Sequence, residues 1–424
     1  MRVGLVIGTR PEAIKMAPVV RALKARGGIA PIVISTGQHQ QLVETILEFF
    51  DIKPDYNLGL MPKSGSLNSL YANIVERLDN LFPELNLDLL VVQGDTTSAT
   101  AAAHAAFYRK LKVAHVEAGL RTGRLDSPWP EEWHRRVIAV SSNIHFAPTP
   151  AARSCLIREG VPTENVIVTG NTVIDALLSV VLRLRTDAAL KAQLDAQFDF
   201  LAGTEKILLV TIHRRENFGA GVENVCRALK SLARRGDVKI VLPVHPNPNV
   251  KAQVLRFLSG LKNIHLIPPA DYVEFVYLME RSDLILTDSG GVQEEAPSLN
   301  KPVFILRNTT ERSEAVAAGV AQLIGTQTEK IVKAVSDFLD GRNTIIRGGA
   351  NPFGDGRAAE RIAEFIASGH WRQAPSARLI TLPGRKPRRP RFQRVPLQIL
   401  AGKNTLSTRA RGFTVGSGEG AGRA

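Results

Sequence analysis

The run Asp288-Ser289-Gly290-Gly291-Val292-Gln293-Glu294-Glu295 follows an apolar stretch, Leu284-Ile285-Leu286-Thr287, and carries the densest chemistry in the chain. Two glycines directly after a strand let another group lie against bare backbone, and a helix starting there points unpaired N–H groups at it. Such a cradle suits an anion, a diphosphate above all. The two glutamates would repel a bare phosphate, so they suit a ligand that carries hydroxyls beside its phosphates, as the ribose of a nucleotide does. The alternative is an ordinary strand-to-helix turn whose helix opens on an exposed acidic pair, which the helix dipole also favours.

Comparable groups stand at other strand ends. In Gly8-Thr9-Arg10-Pro11-Glu12-Ala13-Ile14-Lys15, Pro11 sits where a helix begins, and Arg10 and Lys15 fall in its first turns. Arginine can hold phosphate with a two-pronged grip, although a solvated basic helix start explains the segment equally well. Asp95 precedes an alanine-rich helix, Glu117 lies in His115-Val116-Glu117-Ala118-Gly119, and Glu131 and Glu132 follow Pro130 in a turn-like segment. Each alone reads as a cap or a loop acid. Gathered at one sheet edge they suggest more, since carboxylates crowded into a cleft can share acid and base duties. His213 ends a strand ahead of Arg214 and Arg215, where it can donate to a phosphate oxygen or stabilise a departing diphosphate. Arg312 follows the last strand and can reach the same anion. No G-x-G-x-x-G follows the first strand and no G-x-x-x-x-G-K-[ST] occurs in the body, so dinucleotide redox chemistry and P-loop hydrolysis lose their usual support.

The elements that must position these groups read as short apolar strands alternating with amphipathic helices. Strand-like runs fall at 3–7, 31–35, 87–92, 113–116, 144–147 and 166–169, then at 207–212, 239–243, 264–267, 284–287 and 302–306. Continuous apolar strands separated by helices indicate parallel sheets covered on both faces. Residues 171–200 read as helix and connector between the two series. The expected fold class is α/β, with two Rossmann-like doubly wound domains facing a central cleft. The first, over 1–170, would carry the acids. The second, over 171–371, would hold the phosphates, with its last helix packing back on the first.

With 424 residues, 44% hydrophobic and 22% charged, the chain reads as globular and large enough for two domains. The net charge of +14 is misleading as a whole. From Arg372 onward twelve basic residues face a single acid, Glu419, so the end of the chain holds +11 of it. This basic tail, 372–424, is expected to be disordered, and without a recognisable module or interleaved aromatics it gives no ground for specific nucleic-acid recognition. No window suits a membrane span, and the first strand starts at residue 3 with no signal peptide before it. Cys155 and Cys226 stand far apart, which suggests a cytoplasmic protein without structural zinc.

The chain resembles the non-hydrolysing UDP-N-acetylglucosamine 2-epimerases of bacteria. The resemblance rests on GTRPEAIKMAP, STGQH, VQGDTTSA, HVEAGLRTG, SPWPEE, FAPT, GNTVIDAL, HRREN, PVHPNP, DSGGVQEEAPSL and TTERSEAVAAG, which run in order from residue 1 to about 367. It implies a glycosyltransferase-B-like pair of Rossmann domains, a homodimer, and interconversion of UDP-N-acetylglucosamine and UDP-N-acetylmannosamine without a cofactor or metal. It further implies that Arg10, Lys15, Asp95, Glu117, Glu131 and His213 line the reacting end, with Asp95, Glu117, Glu131 and His213 catalytic. Phe275, Ser289, Gly290, Gly291, Glu295 and Arg312 would hold UDP. A second UDP-N-acetylglucosamine bound as activator would meet Gln38, Gln41, Arg214 or Arg215, and His245. This sequence departs from the family at His134, where Asn is usual, at Val140-Ser141-Ser142, where an Asp is common, and at Ala270 in place of Gln. A glycosyltransferase, a hydrolysing relative or a non-catalytic UDP-sugar binder are the competing readings.

Overall fold

The computed structural model describes residues 1–60, 66–343, 345 and 349–373. The expected disordered tail lies, from residue 374 on, outside the described residues, as does the Arg215 side chain. Arg372 itself belongs to a closing 3-10 turn, His370–Gln373, and pairs with Asp88 at 3.1 Å.

Seven strands, β1 (Arg2–Ile7), β2 (Ala30–Ser35), β3 (Tyr56–Asn57), β4 (Leu89–Gln93), β5 (Lys112–Val116), β6 (Ile144–Ala147) and β7 (Val166–Val168), form one sheet in the order β3-β2-β1-β4-β5-β6-β7. Six more, β8 (Lys206–Thr211), β9 (Val238–Pro243), β10 (Ile264–Ile267), β11 (Leu284–Thr287), β12 (Val303–Ile305) and β13 (Ala321–Leu323), form a second in the order β10-β9-β8-β11-β12-β13. Neighbouring strands pair in parallel throughout the described residues. Both are doubly wound sheets whose order reverses once, between β1 and β4 and between β8 and β11. Open α/β sheets bind ligands outside the strand ends at such reversals. The short edge strands β3 and β13 have no counterpart in the sequence reading. Both residues of β3, and Gln322 and Leu323 of β13, are exposed, so neither shows the apolar run that marks a central strand.

Alternate residues of each sheet face different cores. Val3, Leu5 and Ile7 of β1 and Leu209 of β8 belong to one continuous apolar cluster, which also takes in Val173, Leu177 and Val180 of helix Thr172–Thr186. Val6 faces a second cluster outside the first sheet, and Leu208 and Val210 a third outside the second sheet. One shared core therefore lies between the sheets and leaves their carboxyl ends to meet. The last helix, Ala358–Ser368, packs against helices Arg10–Lys24 and Thr172–Thr186 and buries Ile362, Ala363 and Ile366 completely. Asp175 accepts from Ala358 N at 3.2 Å and Ala359 N at 2.8 Å, so a carboxylate of one helix caps the N-terminus of another. No helix among the described residues is long and apolar enough to cross a membrane.

Two local expectations are overturned. Glu294 and Glu295 do not open their helix. The helix runs Gly290–Glu295, so the pair closes it and is buried, because the glycines themselves form its first turn and Pro297 follows in a 3-10 turn. Glu131 and Glu132 lie not in a turn but in the first turn of helix Glu131–Ser141, where the positive end of the dipole favours acids.

Candidate active site

Residues after β1, β4 and β5 build one wall. Thr9 caps helix Arg10–Lys24, and Glu12 in its first turn reaches back with Oε2 to Gly8 N at 3.0 Å, Thr9 N at 2.7 Å and the Thr9 hydroxyl at 2.8 Å. Its Oε1 accepts from the Thr96 hydroxyl at 2.8 Å and so joins the loop after β1 to the loop after β4. Complete burial holds Glu12 up to about 7 against these four bonds. Lys15, one turn on, ion-pairs with Glu117. Burial disfavours the Lys15 charge, but Glu117 and then Glu294 outweigh it and raise the pKa. Glu117 also accepts from Gln93 Nε2 at 3.1 Å and holds a left-handed φ of 65°, a backbone strain that non-glycine residues adopt where surroundings enforce it. Arg10 is exposed at the mouth of this wall.

Helix Glu131–Ser141 supports Asp95. Arg135, nearly buried, grips Asp95 Oδ2 from Nε at 2.8 Å and Nη2 at 2.7 Å, and His134 Nδ1 donates to the Asp95 carbonyl at 2.7 Å. His134 thus places a donor on the Asp95 backbone. The two glutamates of this turn divide. Glu132, fully buried, accepts from Thr122 N at 3.0 Å and pairs with Arg135 and Arg136. Glu131 keeps a buried Oε2 that no donor faces among the described residues. Beneath Asp95, His115 Nε2 meets the Gly94 carbonyl at 2.7 Å. Burial lowers His115 to about 4, so the ring is neutral and the proton belongs on Nε2.

The second wall comes from the loops after β8, β11 and β12. Asp288, fully buried at the end of β11, accepts from His213 N, Arg214 N and Asn217 Nδ2, and lies 2.9 Å from His213 Nδ1. Burial would raise Asp288, but the His213 contact and these donors bring it below the usual carboxylate range. An acceptor at Nδ1 fixes the His213 tautomer and leaves Nε2 for a ligand. Glu294 Oε1 accepts from Arg312 Nε at 2.9 Å, and Arg312 also pairs with Glu311. Burial alone would raise Glu311, but Arg312 and Arg307 pull it down to about 2. Arg312 lies flat over Gly290, where an added Cβ would come within 2.9 Å of its Cζ, whereas Gly291 looks onto more open space. A Cβ at the first glycine would push the guanidinium away from the place where it pairs with Glu294 and Glu311. Ser289 N donates to the Thr287 hydroxyl at 2.9 Å. Glu295 accepts from the Tyr272 hydroxyl at 3.0 Å and is raised to about 7 by burial. Phe275 lies partly buried on the same helix, Tyr272–Arg281.

The walls meet electrically. Lys15 of the first domain responds to Glu294 and Arg312 of the second, and Arg312 to Glu117. Of the residues assigned to a second nucleotide, Gln38 accepts from the Ser98 hydroxyl at 2.8 Å, and Gln41 is exposed on helix Gln40–Phe49. Arg214 lies 3.6 Å from Glu311, and the His245 ring stacks on His213 at 6.2 Å between centroids. The sequence reading assigned no role to Glu12, His115, Arg135 or Asp288, and it set Glu294 beside Glu295 for the ligand's hydroxyls, whereas the Glu294 carboxylate is buried against Arg312 and Asn171. A buried acid facing backbone donors leaves no periodic signal, although Asp288 and Glu294 flank the glycine pair that drew attention to the segment.

The profile of the UDP-N-acetylglucosamine 2-epimerase family matches residues 21–367. A UDP-N-acetylglucosamine 2-epimerase of Salmonella typhimurium is 48% identical over 372 residues, spanning 87% of this chain and 99% of that relative. The crystal structure of UDP-GlcNAc 2-epimerase from Neisseria meningitidis bound to UDP-GlcNAc matches with a TM-score of 0.82 at 44% identity, covering 87% of this chain and 100% of that one. UDP-GlcNAc 2-epimerase from Methanocaldococcus jannaschii, in complex with UDP-GlcNAc and UDP, matches with a TM-score of 0.73 at 34% identity over 87% of this chain and 100% of that one. Two doubly wound domains with acids, cations and a glycine cradle at their facing strand ends, matched along nearly the whole length of such relatives, place the chain in the UDP-N-acetylglucosamine 2-epimerase family.

Proposed function

We propose that this protein interconverts UDP-N-acetylglucosamine and UDP-N-acetylmannosamine by eliminating and re-adding UDP. The observation that carries the reading is the cluster in which Lys15 and Glu117 of one domain meet the field of Glu294 and Arg312 of the other. The hydrogen on C2 of the sugar is not acidic, because no carbonyl is conjugated to it. When the C1–O bond breaks and its electron pair leaves with the β-phosphate, positive charge grows beside C2. A carboxylate can then take the C2 proton, leaving 2-acetamidoglucal and UDP. Return of a proton to the opposite face of C2, with attack of the phosphate oxygen on C1, yields the inverted sugar.

The chemistry needs an acid or base on each face, donors for the diphosphate and exclusion of water. Asp95, Glu117 and Glu131 suit the first task. Arg10, Lys15 and Arg312 suit the second, with the backbone at Ser289, Gly290 and Gly291, and His213 joins them as a donor through Nε2 when its ring carries both protons against Asp288. Glu295 would accept from the ribose hydroxyls and Phe275 would flank the base. In deuterated water the enzyme should form the manno sugar nucleotide and place deuterium at C2 in the UDP-bound pool. Free N-acetylmannosamine would mark a hydrolase instead, and an unlabelled substrate would mark a binder. Asp95→Asn and Glu117→Gln should each lower turnover by about 10²- to 10⁴-fold while UDP binding largely persists. Full activity in both variants would overturn the acid/base assignment.

The same reading includes a homodimer, a cytoplasmic location and a second UDP-N-acetylglucosamine acting as activator. Exposed Phe107, Tyr108, Trp133 and Val140 on the packed helices Thr97–Tyr108 and Glu131–Ser141 support an association face. Unpaired Cys155 and Cys226 suit a reducing compartment. The activator would sit by Gln38, Gln41, Arg214, Arg215 and His245, and the His213–His245 stack gives it a path to the reacting end.

A further inference from the structure

The chain passes between the domains twice, and the two crossings run against each other. The first follows β7 through Gly170 and Asn171 into helix Thr172–Thr186. The second returns through Asn351, Phe353 and Gly354 to helix Ala358–Ser368. Gly170 has φ 90° and Gly354 φ 147°, and a Cβ on Gly170 would stand 3.3 Å from the Gly354 Cα. Asn171 N donates to the Phe353 carbonyl at 2.7 Å. Only bare backbone allows this contact, so the crossings form a single joint.

Glu294 stands on that joint. It is 1% exposed. Its Oε2 accepts from Asn171 Nδ2 at 3.1 Å, and its carbonyl accepts from Asn351 Nδ2 at 2.7 Å, one bond to each crossing. Its other carboxylate oxygen accepts from Arg312 Nε at 2.9 Å. Asn171 cannot turn its amide over freely, because its Oδ1 caps the following helix by accepting from Val173 N at 3.1 Å. Among the described residues the Arg312 guanidinium has one other ion-pair partner, Glu311, which sits on the same loop.

We infer that Glu294 is a positioning residue that transmits the geometry of the interdomain joint to Arg312, so that the cation assigned to the diphosphate is set by the two crossings and not only by its own loop. A ligand that draws the domains together would in this way also aim the guanidinium. The inference rests on the functional reading above for the identity of the anion, and UDP binding tests it without requiring turnover.

A donor–acceptor swap separates the tether from simple burial of a charge. In Glu294→Gln the new amide must present N–H either to Asn171 or to Arg312, both donors. In Asn171→Asp two carboxylates face each other in a buried site. When Glu294→Gln and Asn171→Asp are combined, the amide now at position 294 donates to the carboxylate now at position 171. The bond is restored with its direction reversed, and Arg312 keeps an acceptor. Calorimetric titration with UDP should show each single variant weakened about tenfold or more, and the double back to within about threefold of wild type, a strongly non-additive cycle. Thermal unfolding run alongside reports folding separately. Should a single variant fail to fold, a folded double with near-native UDP affinity still supports the tether. Singles that bind UDP like wild type, or a double no better than the worse single, would overturn it. A wild type that binds UDP but leaves UDP-N-acetylglucosamine unchanged overturns the functional reading and leaves the swap to decide this one.

Discussion

Burial holds the Glu295 carboxyl up to about 7, with the Tyr272 hydroxyl already on one oxygen. Ribose hydroxyls donate to a carboxylate better than to a neutral acid, so UDP should bind the ionised form. As pH rises from 6 to 8, through the folded pKa, UDP affinity should therefore increase about tenfold beyond the change caused by the ligand's own phosphate. Glu295→Gln serves as the comparison, since it removes this component and leaves the ligand's titration. Identical pH profiles in titration calorimetry would show that Glu295 does not carry the ribose. At this scale the sequence exposed residue types but not their partners. Glu131 and Glu132 are adjacent, yet Glu132 is tied to Thr122, Arg135 and Arg136, while Glu131 keeps a buried oxygen that meets no donor among the described residues. Nothing in the string of letters separates them. The distinction arises because successive residues of a helix point about 100° apart.

Among the elements, the cap that Asp175 gives helix Ala358–Ser368 holds the end of the folded chain to helix Thr172–Thr186. Burial raises Asp175 to about 6, more than its bonds to Ala359 and Ala358 lower it. A carboxyl raised in the folded state contributes stability that is fully present below its unfolded value and is lost as pH rises through the folded one. Between pH 4 and 7 the wild type should therefore lose about 2 kcal/mol relative to Asp175→Asn, which does not titrate. Urea unfolding at both pH values measures the difference, and a constant gap would mean that the carboxylate is as well solvated folded as unfolded. Central strands were legible in the sequence because a parallel strand buried on both faces reads as an unbroken apolar run. The edges β3 and β13 were not. A helix after the glycine pair was legible, but it was read as opening on the acids, whereas the glycines form its first turn and the acids fall at its buried end.

On the scale of the whole molecule, the shared core between the sheets brings two sets of strand ends together, and the proposed dimer face lies on helices Thr97–Tyr108 and Glu131–Ser141. Tyr108 and Val140 are 71% and 72% exposed there. Tyr108→Glu with Val140→Glu should shift the protein from dimer to monomer in sedimentation velocity, because burying two carboxylates unpaired costs several kcal/mol. Activity should fall as well, since helix Glu131–Ser141 carries Glu131 and the Arg135 that grips Asp95. A dimer that persists would place the association elsewhere. The sequence alone determined the α/β class, the strand-to-loop positions of Arg10, Asp95, Glu117, His213 and Gly290, and the family, since each is written in local order or in contiguous motifs. Only the tertiary structure decided that Asp288 orients His213, that Glu12 joins two loops, and that Glu294 links the interdomain joint to Arg312. Those bonds connect residues up to 123 positions apart, as Asn171 and Glu294 are, and the distance between them is set by packing rather than by spacing along the chain.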